Sequence, residues 1–255
     1  MKVKSLYTAI TIMVVVTFVM YFIVPLPKRA FILWDDVIEA VAFALAAIFL
    51  LKASNYAIGL EQKSLKLFAS GFGFWIIGEG IWTIFDILHP KGEKIPFPYF
   101  SDIGFFAFYI LVLIGLLVLL KHYSPFMSTK QWIFAFVAFI ILIGIGLPLV
   151  ILPSMRSTEL TFLGKALSFI YPFSDIVIIT LTIPVISLTA GGKIGQSWLI
   201  IVIGFALITA ADVIFSYLAL TGASTVINDS NFGFLWTLGG LVVMAGAVKY
   251  METHS

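Results

Sequence analysis

About eight apolar stretches, each near twenty residues long, follow one another through this 255-residue chain. A stretch of about 20 apolar residues spans the roughly 30 Å hydrocarbon core of a bilayer as an α-helix. Backbone groups inside lipid must be satisfied within their own segment, so we expect every span to be helical. The predicted spans cover residues 6–24, 35–52, 66–88, 101–121, 131–152, 167–188, 197–220 and 231–249.

The composition agrees with a lipid environment, since 61% of the residues are hydrophobic and 11% are charged. Soluble domains are about 45–50% apolar and about 25% charged. We therefore predict an all-α, polytopic membrane protein that forms a single membrane domain over residues 1–255. The first apolar stretch lacks a small-residue cleavage site, so we expect an uncleaved first span rather than a signal peptide.

Several classes of chemistry are excluded by residue content. The chain has no cysteine, which removes disulfides, thiolate metal sites and cysteine nucleophiles. It has no nucleophile elbow, zinc-protease or P-loop motif, and a net charge of +2 gives no basis for nucleic-acid binding. We expect no cofactor, although a divalent cation held by carboxylates alone stays open because hard cations accept oxygen ligands.

Lysine and arginine residues in the loops predict the orientation of the chain. Nine of them lie on the side that would hold both termini and six on the opposite side, so we expect a cell-membrane protein with both termini in the cytoplasm. The acidic residues are distributed less evenly between the two sides than the basic ones, since two of the 13 lie on the terminal side and eleven on the other. We therefore expect an acidic outer half and a plain cytoplasmic half.

The order of acidic and aromatic residues in the first four spans recurs in the last four. This recurrence predicts a tandem duplication with parallel halves, residues 1–122 and 123–255, as in the parallel class of transporter repeats. A chance alignment of acids at helix ends is the alternative. The matched residues are Asp36 with Asp175, Glu79 with Asp212, and Asp102–Tyr109 with Asp229–Trp236.

Helical spacing places these acids and aromatic rings on shared helix faces. An ionised carboxylate near the centre of a span costs about 2.5–3.5 kcal/mol in lipid, so such faces should point inward. We predict an outward-opening pocket that binds a small ligand, and a cation would suit its carboxylates and aromatic rings. Structural roles as protonated acids or helix caps are the alternative. The predicted lining residues are Asp36, Glu79, Trp82, Asp102, Tyr109, Asp175, Asp212 and Trp236.

Four short stretches carry a resemblance to a known family. Residues 96–106 (PFPYFSDIGFF) resemble P-S-x-A-D-x-x-Y-L, and residues 171–175 (YPFSD) resemble Y-P-x-x-D. Residues 211–222 (ADVIFSYLALTG) look like A-D-x-x-F-x-Y-L-A-L-T-G, and residues 229–240 look like D-x-x-W-x-x-G-Y. These motifs occur in the multi-spanning N-terminal membrane regions of bacterial GGDEF/EAL-type signalling proteins, which the chain resembles over about residues 65–250.

The resemblance implies a membrane sensor module that binds a small ligand. We expect no cyclase, phosphodiesterase or kinase domain within these residues, so a signal would pass to a protein partner. Two other functions stay open. One is a proton- or cation-coupled secondary transporter, which tandem repeats and intramembrane carboxylates would suit. The other is an intramembrane enzyme that uses a carboxylate-bound divalent metal.

Overall fold

The structure, a computed structural model, describes residues 3–89, 96–189, 193–220 and 231–254. These residues form helices joined by short turns, with no strand among them. Asp229, which the predicted duplication matches with Asp102, lies outside the described residues. The helices are α1 (Val3–Phe22), α2 (Lys28–Ser54), α3 (Gly59–Leu88), α4 (Ser101–Tyr123), α5 (Thr129–Gly146), α6 (Leu152–Arg156), α7 (Phe162–Thr189), α8 (Lys193–Leu220) and α9 (Phe234–His254).

Within the described residues, eight helical stretches are long and apolar enough to cross a bilayer, which confirms the predicted polytopic all-α membrane fold. Helices α5 and α6 form one of them, because a π-helical turn at Leu147–Ile151 joins them without a break. Pro148 lies in this turn, and a proline inside a helix removes a backbone donor and disturbs the regular ladder.

Helices α2, α3 and α7 begin several residues before the spans predicted to start at positions 35, 66 and 167. The predicted spans follow the apolar residues that lie within lipid. The helices continue through polar interfacial residues such as Lys28 and Lys63, where the backbone can still form its own hydrogen bonds. The predicted boundaries therefore describe the membrane core and not the ends of the helices.

Six helices close a ring in which each packs against two others. Helix α2 packs between α3 and α9, α4 packs between α3 and α7, and α8 packs between α7 and α9. Helices α1 and α5 lie outside this ring, mainly against α9 and α7. The ring follows the same helix order in both halves. The two outer helices do not pack on equivalent helices, because α1 packs mainly on the last helix of the other half and α5 on the second spanning helix of its own half. The tandem duplication thus stays a prediction.

Aromatic rings fill the middle of the ring of helices. Phe72 of α3 lies 5.3 Å from Phe108 of α4 and 6.1 Å from Phe205 of α8, measured between ring centroids. Phe68 lies 5.5 Å from Phe205, and both are almost fully buried. The centre of the bundle is therefore apolar and packed, and the buried acids lie to one side of it.

Glycine allows two pairs of ring helices to approach closely. A Cβ atom on Gly104 of α4 would lie 2.5 Å from the backbone nitrogen of Gly78 on α3. A Cβ atom on Gly204 of α8 would lie 2.8 Å from the carbonyl oxygen of Gly239 on α9. Small residues at such positions let membrane helices pack backbone to backbone. These contacts set the spacing of the helices that carry Glu79 and Asp212.

Eight crossings bring both described termini to one end of the bundle. There the hydroxyl of Tyr7 on α1 donates to a carboxylate oxygen of Glu252 on α9 at 3.3 Å. We call this the terminal end and the opposite end the far end. Asp36, Glu79 and Asp212 lie in the half towards the far end, as the helix directions require.

Candidate functional site

The predicted site residues fall into two groups of buried carboxyls, one in each half of the chain. The first lies between α2 and α3 and includes Asp36 and Glu79. The second lies between α4, α7, α8 and α9 and is centred on Asp175 and Asp212. Whether the two groups line one pocket that opens at the far end stays a prediction.

The second group is organised around the hydroxyl of Tyr109. This oxygen lies 3.1 Å from Oδ1 of Asp175 and 2.9 Å from Oδ2 of Asp212. The indole Nε1 of Trp236 donates to the other Asp212 oxygen at 2.9 Å, and the Thr209 hydroxyl donates to Asp175 at 3.3 Å. Oδ2 of Asp175 is buried without a hydrogen-bond partner. Four helices thus contribute side chains around two carboxyls, and one of the four carboxyl oxygens, Oδ2 of Asp175, has no hydrogen-bond donor.

The contacts of Tyr109 place two carboxyls around one proton. A hydroxyl carries a single hydrogen and can donate to only one acceptor at a time. The second short contact is favourable only when a carboxyl donates in turn, or when a cation lies beside the pair. Within the described residues, no lysine, arginine or histidine forms an ion pair with Asp175 or Asp212, so neither is paired with Arg156 or Lys165. The pair therefore requires a proton or another cation.

Aromatic side chains connect the second group to the first. Phe215 of α8 lies between Trp82 of α3 and Trp236 of α9, at centroid distances of 6.3 and 5.7 Å. The ring of Tyr171 lies 5.4 Å from that of Tyr109. Phe215 thus links Trp82 to Trp236, which itself donates to Asp212, and a pocket role for Trp82 stays a prediction.

Asp102 has a contact pattern of its own at the start of α4. Its Oδ2 accepts the backbone N–H of Tyr99 at 2.7 Å, which closes the turn before the helix. Its Oδ1 accepts the Tyr171 hydroxyl at 2.8 Å, which ties α4 to α7. These contacts favour a structural role for Asp102, and it joins the second group through Tyr171.

The first group contains an acid that the sequence reasoning missed. Glu39 of α2 is 5% exposed, and its Oε1 accepts the indole N–H of Trp75 at 2.9 Å. Asp36 and Glu79, both 6% exposed, are its neighbours, and Oδ2 of Asp36 is buried without a partner. Glu39 follows Asp36 by three residues, so the helical spacing rule was the signal that could have revealed it.

A second missed residue, Glu61, lies towards the terminal end. Its Oε1 accepts the Tyr123 hydroxyl and, at 3.4 Å, the indole N–H of Trp198. Its Oε2 accepts the Tyr250 hydroxyl at 3.0 Å. Glu61 therefore connects α3 to α4, α8 and α9, and the expectation of a plain half at this end is wrong. The donors come from distant parts of the chain, so no local pattern indicates this cluster.

The described residues offer little for a bound metal. Among them, no group of three or more histidine, aspartate or glutamate side chains has an arrangement that could hold a metal ion. The carboxylate-bound divalent cation, and with it the metal-dependent enzyme, gains no support from this part of the chain.

Comparisons with known proteins add no family to these observations. No known protein family matches the chain, and neither does any curated protein or any solved structure. The resemblance to the membrane regions of GGDEF/EAL-type proteins therefore stays a prediction. The functional argument rests on the geometry of the described side chains.

Proposed function

We propose that this protein is a receptor-like membrane module that binds a small cationic ligand at Asp175 and Asp212 and signals through a protein partner. The observation that carries the proposal is the single Tyr109 hydroxyl between two carboxyls, with Oδ2 of Asp175 left unpartnered. With both termini in the cytoplasm, as the lysine and arginine count predicts, the far end would face the outside.

An ammonium group has the chemistry that the pair lacks. It supplies a positive charge and several N–H donors, and charge-assisted hydrogen bonds are about twice as strong as neutral ones. The rings of Tyr109, Tyr171 and Trp236 surround the carboxyls, and aromatic faces attract cations. Asp175 is 2% exposed, so the group that reaches its free oxygen is small, of the size of a primary ammonium.

The second candidate function is a proton- or cation-coupled secondary transporter. The specific observation in its favour is that buried carboxyl oxygens without partners occur in both halves, on Asp36 and on Asp175. A transporter would need such groups to be charged and discharged in turn. A receptor needs only the binding step, and the resemblance of residues 96–106, 171–175 and 211–222 to sensor regions favours that reading.

Thermal unfolding of the purified protein in detergent tests the proposal. The probes are methylammonium chloride and larger primary amines, compared with sodium chloride at equal ionic strength. A ligand at about 100 times its Kd stabilises by about 2.7 kcal/mol, so we expect the melting temperature to rise by several degrees. The rise should disappear in Asp212→Asn and persist in Glu252→Gln, which changes an exposed acid at the terminal end.

The test has a second variant in case Asp212→Asn does not fold. Trp236→Phe keeps an aromatic ring and removes the N–H that orients Asp212, so it should weaken the amine response. An absent amine response in the wild type, or an undiminished one in both variants, would overturn the proposal. Uptake of labelled methylammonium into proteoliposomes along an ion gradient would favour the transporter instead.

A further inference from the structure

The carboxyls between α2 and α3 form a group apart from the Asp175–Asp212 pair. Asp36, Glu39 and Glu79 are each at most 6% exposed, and they interact electrostatically with one another. Among the described residues, no hydrogen bond links them to Asp175 or Asp212. A ligand bound at Asp175 and Asp212 would therefore not neutralise these three carboxyls.

Donors are scarce around these three carboxyls. The hydrogen bond shown to them within the described residues comes from Trp75 and ends on Glu39. Oδ2 of Asp36 has no partner although it is fully buried. Three ionised carboxylates would leave three charges in a largely apolar site with one N–H donor, which is very unfavourable. A cation shared among them would relieve this repulsion.

The carboxyls are arranged as a ladder from the far end into the bundle. Asp86 is half-buried and interacts with Asp36, Asp36 interacts with Glu79, and Glu79 interacts with Glu39. Glu39 lies about 4.5 Å deeper along α2 than Asp36, since each helical residue rises about 1.5 Å. Neighbouring carboxyls along the ladder therefore repel one another when both are ionised.

The ladder ends against apolar side chains. The ring of Phe43, one turn below Glu39, lies 5.0 Å from that of Trp75 and 5.3 Å from that of Phe72. Phe43 and Phe72 are fully buried, as is Ala46 one turn further on. A charge that reaches Glu39 from the far end meets a closed hydrophobic layer.

Other titratable groups close to the ladder are few. Asp35 lies beside Asp36 on the same helix, and it accepts a hydrogen bond from the Tyr21 hydroxyl of α1. Within the described residues, α4 and α9 contribute no charged neighbour to Asp36, Glu39 or Glu79. Among the described residues, His89 is a basic neighbour of Asp86 at the outer end of the ladder, and no basic side chain is shown beside Asp36, Glu39 or Glu79.

We infer that Asp36, Glu39 and Glu79 form a proton-binding site that is loaded from the far end and closed towards the terminal end. A proton fits better than a metal ion because these carboxyls do not form a metal-holding group. It also needs no open cavity, since a carboxyl oxygen carries it as its own O–H. The site acts as a reversible proton store and does not conduct protons across the membrane.

Infrared spectroscopy of the purified wild-type protein tests the proton store. The carbonyl band of protonated carboxyls should change with pH and should shift on transfer to D2O, because the protons exchange. Glu39→Gln keeps an amide oxygen to accept from Trp75 but removes the deepest carboxyl, and it should lose one component of the band. Asp36→Asn is the second variant, and Glu252→Gln is the matched control that should leave the band unchanged.

Three results would overturn the inference. A band that is the same in wild type, Glu39→Gln and Asp36→Asn would place the protons elsewhere. A band that does not shift in D2O would show a locked proton instead of a store. A band that sodium chloride suppresses at constant pH, where choline chloride does not, would assign the site to a metal cation.

Three further measurements separate this inference from the proposed ligand site and from proton conduction. Glu39→Gln should retain the amine-induced thermal shift, and Asp175→Asn should retain the Glu39 component of the infrared band. Either proposal can therefore fail alone. Vesicles that contain the wild-type protein should dissipate a pH gradient no faster than empty vesicles. Faster dissipation would mean that the apolar layer below Glu39 does not close the ladder.

Discussion

Glu61 and Asp175 are both acidic side chains held among aromatic residues in the same ring of helices, yet their surroundings differ. Three donors from three other helices converge on Glu61, and they occupy both of its oxygens. Asp175 shares the Tyr109 hydroxyl with Asp212 and has a buried oxygen without a partner. One carboxyl has its acceptor capacity met, and the other does not.

This difference separates a structural carboxyl from a binding one. Buried polar groups in native proteins are nearly always hydrogen-bonded, and an exception calls for an explanation such as an absent ligand. A carboxylate with three donors stabilises the fold without help. A carboxylate pair with too few donors gains from a proton or cation. The two sites should therefore respond in opposite ways when the carboxyl is removed.

The largest effect should come from Glu61→Ala. Removing the acceptor leaves the donors of Tyr123, Trp198 and Tyr250 unmatched, and hydrogen bonds to charged groups contribute about 1.5–3 kcal/mol each. Allowing for weaker bonds near the membrane surface, we expect a loss of about 3 kcal/mol in the free energy of unfolding. Denaturation with sodium dodecyl sulfate in mixed micelles measures it.

Glu252→Ala is the control for Glu61, because Glu252 is a more exposed acid at the same end and pairs with Lys249. Exposed ion pairs contribute about 0–1 kcal/mol. Equal effects for the two variants would contradict a structural role of the Glu61 cluster.

A smaller effect, about 2 kcal/mol of destabilisation, should follow from Gly104→Ala. The added methyl group would lie 2.5 Å from the Gly78 nitrogen and 2.6 Å from the Phe74 carbonyl oxygen, so α3 and α4 must separate. Gly73→Ala is the matched control, because its methyl group would contact nothing within 4 Å. There the higher helix propensity of alanine should give no loss of stability. A Gly104 variant as stable as the Gly73 variant would show that the close α3–α4 contact is not required.

The smallest and opposite effect should come from Asp175→Asn without added ligand. The change removes a carboxyl whose Oδ2 lacks a partner, and the neutral amide that replaces it needs no proton or cation. We expect the free energy of unfolding to stay the same or to rise by about 1 kcal/mol. The same denaturation assay measures it, and a loss comparable to that of Glu61→Ala would remove the distinction between the two sites.

Helix faces predicted which side chains of the site point inward, but they could not predict that these side chains fall into two separate groups. The spacing of Asp102 and Tyr109, and the depth of Glu79 and Asp212, placed these side chains inside the bundle. The grouping of Tyr109 with Asp175 and Asp212 depends on which helices are neighbours. That choice follows from the ring order of α4, α7 and α8, and no single helix contains this information.

The apolar stretches by themselves determined that this chain is a helical membrane protein with about eight crossings, because a continuous apolar stretch of about 20 residues satisfies its backbone polar groups in lipid as a helix. They also determined that the deep acids must face inward. Only the tertiary structure decided which acids are satisfied, because a hydrogen bond such as that from Tyr250 to Glu61 joins residues 189 positions apart. Such hydrogen bonds form only when the whole ring is packed, as do close helix contacts like that between Gly78 and Gly104.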